Sequence, residues 1–358
     1  MRRKWLRDVS RLVVKLGTGV LTDARKQPDF LQLVQLVAQL AQQRQAGREV
    51  VLVTSGAVGA GMGVLGLTRR PTRLHELQAC AAIGQSRLMA TYADLFGKFG
   101  LHVGQVLLTH ADLEDHDRHL NARNTLLTLL ERGVVPIINE NDVVSVEELR
   151  FGDNDRLSAL VASLLPARLL VILTSVDGVL EGFGGDHPRV IPLVERVDET
   201  LEQLARGTRS ETAVGGMTSK LAAARIVMRA GIPAVIANGR KRDVLERILA
   251  GEDEGTLFVP QGELLPGRKR WIAFFHHPKG VLVVDDGARR ALCEQGRSLL
   301  RPGVLRVEGD FARGDVVRIC DPAGREFARG QVGCDAAALR AGQAPDREVV
   351  HRDNLVVL

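Results

Sequence analysis

The chain has 358 residues, 45% hydrophobic and 25% charged, a balance that excludes wholesale disorder and leaves room for about two domains. Aromatic residues are only 4%, with a single tyrosine, so a core must rest on Leu, Val, Ile and Ala. Lys and Arg number 48 against 43 Asp and Glu, and the formal charge of +5 is too thin an excess to establish an anionic partner.

Residues 12–16 read as a strand that runs into the turn Gly17-Thr18-Gly19. From 29 to 45, Phe30, Leu33, Leu36, Val37 and Leu40 keep helical spacing, and Gly47 can end that helix. A second strand at 50–53 leads into Ser55-Gly56-Ala57, and 74–99 suits one or two helices. Strands then follow at 103–108, 134–138, 169–173 and 234–237, separated by helices at 121–132, 154–164 and 219–230. This alternation predicts an α/β fold with a mostly parallel sheet covered on both faces. After about Pro260 the texture changes to short β-like runs at 281–284, 304–307, 316–320 and 349–350, separated by turns. The reading is an α/β domain over 1–262, a linker over 263–274 and a small β-rich domain over 275–358. The 16 basic and 13 acidic residues after Gly262 make that end mildly more basic.

No apolar run approaches the ~20 residues of a bilayer span. The run at 12–16 is interrupted by Lys15 and makes a poor signal-peptide core. The four cysteines, Cys80, Cys293, Cys320 and Cys334, form no CxxC pair, which leaves buried free thiols as the expectation. A cytoplasmic protein is predicted.

Three glycine-bearing turns stand where strands end or helices begin: Lys15-Leu16-Gly17-Thr18-Gly19, Thr54-Ser55-Gly56-Ala57 and Gly215-Gly216-Met217-Thr218-Ser219-Lys220. Such turns bring backbone N–H groups close to phosphates, and Lys15 and Lys220 add full charges. Two motifs mislead. Gly61-Met62-Gly63-Val64-Leu65-Gly66 matches GxGxxG but lies past its strand and lacks an acidic partner about 20 residues on. The run from His110 to His119 mixes both signs of charge before a helix and reads as a solvated helix entrance, not a metal site. Two polar loops, Asn139-Glu140-Asn141-Asp142 and Gly152-Asp153-Asn154-Asp155, hold more carboxylates and carboxamides than capping needs, and suit a small ligand with an ammonium and carboxylates.

In order and spacing these motifs, with Leu107-Leu108-Thr109 and Leu120-Asn121-Ala122-Arg123, resemble the glutamate 5-kinases over nearly the whole chain. That resemblance implies an amino-acid kinase three-layer sandwich followed by a PUA-like barrel domain, to which Arg313-Gly314-Asp315 and His351-Arg352-Asp353 are similar. It implies phosphorylation of the side-chain carboxylate of L-glutamate by ATP, the first step of proline biosynthesis. Lys15 and Lys220 would flank the transferring phosphoryl group, with Asp155 orienting them. Ser55, Gly56, Ala57, Asn139, Asp142, Asp153 and Asn154 would hold glutamate. Lys15, Gly17, Thr18, Thr174, Ser175, Val214, Gly215, Gly216, Met217, Thr218, Ser219 and Lys220 would contact ATP. Mg²⁺ would ride on the ATP phosphates, with no protein metal site. Proline as a feedback inhibitor and a dimer or tetramer are also implied.

The chemistry suits the resemblance: a side-chain carboxylate with a reference pKa of about 4.3 is ionised near neutrality and needs no general base to attack phosphorus. Some positions depart from the pattern. Ser175 stands where Asp is frequent, Ala213-Val214 where Gly-Thr is common, Gly19 where Ser is frequent, and 181–186 is shortened. These predict an altered nucleotide pocket. The alternatives are a kinase of aspartate, acetylglutamate, carbamate or uridylate, and an RNA-binding protein acting through the PUA-like domain.

Overall fold

The computed structural model describes residues 2–23, 29–145, 154–182, 188–206, 216–260, 262–275, 278–342 and 348–358. The chain divides into two compact units, Met1–Leu264 and Leu265–Leu358.

The first unit is built on strands β1 (Arg11–Leu16), β2 (Glu49–Val53), β3 (Val103–Leu108), β4 (Val135–Glu140) and β5 (Leu169–Thr174). A short antiparallel pair follows, β6 (Leu180–Glu181) with β7 (Arg189–Val190), and then β8 (Leu193–Val194), β9 (Ala234–Asn238) and β10 (Thr256–Phe258). The main sheet runs β3-β4-β2-β1-β5-β9-β10-β8, and only β9 and β10 pair antiparallel. β1 lies in the middle, with Val14 paired to Leu52 on one side and Val171 on the other.

Side chains alternate across a strand, so each strand feeds two faces. Leu12, Val14 and Leu16 of β1 join Leu52, Val171 and Leu36 in one buried cluster. Val13 and Lys15 therefore take the opposite face, where the helices Asp155–Leu164 and Met217–Arg229 pack together, the former against β1 and β5. Burial on both faces explains why these strands read as unbroken apolar runs. It also makes Lys15 conspicuous, as the one charge set into that run.

The helix expected over 29–45 is Phe30–Gln45, started by Asp29, whose carboxylate accepts the Gln32 N–H at 3.0 Å. Residues 74–99 form one helix, Leu74–Gly97. The helix expected from 121 starts earlier, at His116, because Asp115 caps it by accepting the Arg118 N–H at 2.9 Å. Just before it, Thr109 and Asp112 cap each other at the short helix His110–Glu114, so the His110–His119 run is a pair of helix entrances.

The GxGxxG run lies in the helix Ala57–Val64 and the turn after it. A Cβ on Gly61 would meet the Cys80 carbonyl oxygen at 1.8 Å, and one on Gly84 would meet the Ala57 carbonyl oxygen at 1.8 Å. These glycines let two helix backbones touch. Gly84→Ala is expected to cost about 3 kcal/mol or more, because backbone rather than a movable side chain blocks the methyl. A lower urea midpoint would register that cost, and an unchanged midpoint would show that the helices part freely.

In the second unit, Gly267–Arg270 is helical and continues as a π-helical turn, Trp271–Phe275. Trp271, Ile272, Ala273 and Phe275 are buried, and the Ala273 carbonyl accepts from Arg329 at 3.0 Å. Most of the stretch expected as linker is thus packed helix. The sheet here runs β12-β11-β13-β14-β15, comprising β11 (Gly280–Val284), β12 (Val304–Gly309), β13 (Val316–Cys320), β14 (Glu326–Gln331) and β15 (Leu355–Val357). Of the run expected at 349–350, only a bridge from Val350 to Leu299 forms. β14 was not foreseen, because Glu326, Arg329 and Gly330 dilute its β character. Cys80 and Cys320 are buried free thiols as expected, whereas Cys293 is exposed and Cys334 half-buried. Among the described residues, no helix is long and apolar enough to cross a membrane.

Candidate active site

Open parallel sheets bind ligands beyond the carboxyl ends of their strands, near the point where strand order reverses. Here those ends belong to β1, β2, β4 and β5. Lys15 is the penultimate residue of β1, and Gly17 just beyond the strand donates its N–H to the Leu173 carbonyl of β5 at 3.1 Å. Asp155 opens the helix Asp155–Leu164 and is fully buried. Its Oδ1 lies 2.6 Å from the Lys15 Nζ and its Oδ2 2.9 Å from the Lys220 Nζ, with both lysines at least 95% buried. Ser219 adds its hydroxyl to the same Oδ2 at 3.0 Å. Two ammonium groups gathered on one carboxylate set positive charge at the carboxyl edge of the sheet, an arrangement that suits an anionic ligand. Lys220 stands in the first turn of Met217–Arg229, whose N-cap Gly216 has an extended backbone, so the positive end of that helix adds to the field.

The neighbouring residue begins a second, neutral network. Asn154 is fully buried, and its Nδ2 faces the Thr54 carbonyl at 2.7 Å, the Ser55 Oγ at 3.1 Å and the Asn139 Oδ1 at 2.7 Å. Asn139, the penultimate residue of β4, donates its own Nδ2 to the Gln85 Oε1 at 2.9 Å. Thr54 is tied behind this group to Tyr92 through a 2.7 Å hydroxyl contact, and burial pushes the Tyr92 phenol well above its ordinary pKa. Gly56 has φ +104°, a left-handed conformation suited to glycine, and turns the chain from β2 into the helix Ala57–Val64.

Asp142 follows in the turn after β4 and is 5% exposed. Burial, then the nearby Glu140 charge, raise its carboxyl pKa to about 7, with Arg70 opposing. Among the described residues, the Asp142 Oδ1 and the Asn154 Oδ1 are buried acceptors without a hydrogen-bond partner. On the other side, Thr174 ends β5 and its carbonyl accepts the Gly239 N–H at 2.9 Å, while Ser175 is exposed. The missing carboxylate at 175 has a neighbour in Asp177, which accepts from Asn238 at 2.9 Å and faces Lys241 at 3.3 Å. The Asn238 hydrogen bond and the Lys241 charge hold the Asp177 carboxyl below the usual range.

Of the residues singled out from sequence, Lys15, Asp155, Ser219 and Lys220 thus meet directly, as do Ser55, Asn139 and Asn154. Thr18 and Thr218 are exposed beside them and Met217 is buried. Asp153, Val214 and Gly215 lie outside the described residues, as do Ala213 and residues 183–186 of the shortened segment 181–186. Gln85 and Tyr92 were missed. Their signal was a polar group at helical spacing on the buried stripe Leu77, Ala81, Gly84, Leu88 and Leu95.

A sequence model of the amino acid kinase family matches residues 10–238, which carry both networks. The chain is 47% identical to the glutamate 5-kinase of Moorella thermoacetica, across 99% of this chain and 97% of that one. It is also 47% identical to the glutamate 5-kinase of Geobacter sulfurreducens over all of both chains. The chain belongs to the glutamate 5-kinases of the amino acid kinase family. As a member of that family it is a phosphotransferase. A PUA domain model matches residues 280–346, within the second unit. A carbamate kinase from Giardia lamblia, solved bound to AMP-PNP, is 17% identical and covers 71% of this chain and 99% of its own, with a TM-score of 0.51. That is a likeness of fold alone.

Proposed function

We propose that this chain transfers the γ-phosphoryl group of ATP to the side-chain carboxylate of L-glutamate, forming L-glutamyl 5-phosphate in the first step of proline biosynthesis. The observation that carries this reading is the adjacency of Asn154 and Asp155: one anchors the polar network, the next holds the two lysines. A small amino acid and a phosphate chain are thereby brought to one place by a single helix start.

In the reaction an oxygen of the ionised carboxylate forms a bond to the γ-phosphorus as the bond to the departing ADP oxygen breaks. No proton need be removed from the nucleophile. What the residues must supply is in-line placement and positive charge against the equatorial oxygens. Lys15 and Lys220 give the charge, and Asp155 fixes both ammonium groups before substrate arrives, so little reorganisation is left for the chemical step. Ser55, Asn139, Asp142, Asp153 and Asn154 hold glutamate, with Asp142 facing its ammonium group. Gly17, Thr18, Thr174, Ser175 and residues 214–219 hold ATP. Both oxygens of Asp155 are engaged by lysines, and the described residues offer no set of three or more ligating side chains. Mg²⁺ in this reading belongs to the ATP phosphates, whose charge it screens. From the family likeness we add inhibition by proline, a cytoplasmic location and assembly of copies into a dimer or tetramer.

Incubation with ATP, Mg²⁺ and hydroxylamine tests the reading with glutamate, aspartate and acetylglutamate in turn. A hydroxamate formed with glutamate supports it; product from aspartate or acetylglutamate alone overturns it.

The raised Asp142 pKa sets a pH dependence. With its carboxyl titrating near 7, the group is mostly neutral at pH 6 and mostly charged at pH 8. The KM for glutamate is therefore expected to fall about ten-fold between those values, as the ammonium gains its counter-charge. Stability runs the other way. The folded carboxyl keeps a proton that the unfolded chain releases, so this group's contribution declines from about pH 4 to about pH 7. Initial rates at saturating ATP check the first statement, and a KM flat from pH 6 to 8 contradicts it.

A further inference from the structure

Gln85 is a buried polar residue on the apolar stripe of the helix Leu74–Gly97, 9% exposed, and outside the set that sequence suggested for the site. A carboxamide in that position is costly unless it is paired. Its Oε1 accepts from the Asn139 Nδ2 at 2.9 Å. The other end of the Asn139 amide is then committed, because its Oδ1 accepts from the Asn154 Nδ2 at 2.7 Å and from the Glu140 N–H at 3.0 Å.

The two ends of a carboxamide differ only in which donates and which accepts, so its orientation is set by its partners. Without an acceptor at 85, the Asn139 NH₂ is buried with nothing to bond. Were the amide to rotate, its NH₂ would face the Asn154 NH₂ and the Glu140 N–H, three donors together. Rotation would release Asn154, which donates to the Ser55 Oγ at 3.1 Å, and without an acceptor at 85 nothing holds the amide against it.

We infer that Gln85 is a positioning residue for the amino-acid substrate, acting through Asn139 on Asn154 and Ser55. The inference rests on the glutamate kinase reading above. It predicts an effect confined to one substrate, because the lysine triad has separate anchors.

The test is steady-state kinetics on the full chain, with glutamate and ATP varied separately. Gln85→Met is expected to raise the KM for glutamate about ten-fold, the scale of one buried amide left unpaired, with the KM for ATP within about two-fold. A purely structural role lowers the amount of active enzyme, and so the maximal rate, without moving the glutamate KM. In an Asn139→Ala background, Gln85→Met should change the glutamate KM by less than about two-fold, since the partner is gone. A further ten-fold rise there overturns the inference, as does an equal rise in both KM values. Gln85→Glu keeps an accepting oxygen in place, and with its carboxyl held in the neutral form by burial it gives up an NH₂ that bonds nothing among the described residues. It should keep the glutamate KM within about three-fold of the parent, and a rise like that of the Met variant contradicts the assignment even if Gln85→Met does not fold. A parent chain that forms no glutamyl phosphate refutes the kinase reading. An active parent with an unaffected Gln85→Met refutes this inference alone.

Discussion

Replacing Asp155 by alanine is expected to remove phosphoryl transfer altogether and to lower stability by about 3–5 kcal/mol, the largest effect of any single change in this site. The carboxylate is fully buried and each of its oxygens holds a lysine that is itself buried. Its loss leaves two ammonium groups side by side without their shared counter-charge. Both must then find water or move apart, and the backbone between β1 and the Met217–Arg229 helix has to open for that. Asp155→Asn separates the two consequences. It keeps the shape and an accepting oxygen, so it should lose less stability than the alanine variant while still losing the charge that holds the lysines. Chemical unfolding followed alongside activity measures both. An alanine variant with the parent's midpoint would mean that the triad is not what holds these elements together.

Lys220→Ala is the second large effect, and its signature is different. Removing one preorganised cation from the developing charge costs on the order of 10³ in kcat. In the proposed reading glutamate is held by the Asn154 network and not by Lys220, so its KM should stay within about three-fold of the parent. Stability should fall less than in Asp155→Ala, because Asp155 keeps Lys15 at 2.6 Å. Lys220→Arg retains the charge, but its planar fork is larger than the ammonium it replaces, so only part of the rate should return. A Lys220→Ala variant that loses glutamate affinity and keeps kcat would place the lysine on the wrong side of the reaction.

Legibility in the sequence followed the range of the interactions involved. β1, β2 and β5 could be read because burial on both faces leaves an unbroken apolar run, and Lys15 stood out against that run. Helix bodies were equally plain, while the start at His116 depended on which of several acidic residues would act as cap. The pairing of Lys15 and Lys220 through Asp155 was suggested by resemblance, since residues 15, 155 and 220 share no local pattern. Gln85 was hidden for a related reason. Its partner Asn139 lies 54 positions away on another element, and only the assembled fold makes one amide the orienting group of the other. The glycines of the GxGxxG run misled because a phosphate loop and a close helix contact ask for the same residue. What decides between them is the Cys80 carbonyl lying where a side chain would be.

In the proposed reaction the substrate's own carboxylate oxygen attacks phosphorus beside the two lysines. Glutamate labelled with ¹⁸O in its side-chain carboxylate tests this most directly. Attack leaves one labelled oxygen bridging carbon and phosphorus, and hydroxylamine then displaces phosphate by attacking the acyl carbon. Phosphate carrying one ¹⁸O for each hydroxamate formed is the expected result. Unlabelled phosphate, released from ATP by water, would contradict it.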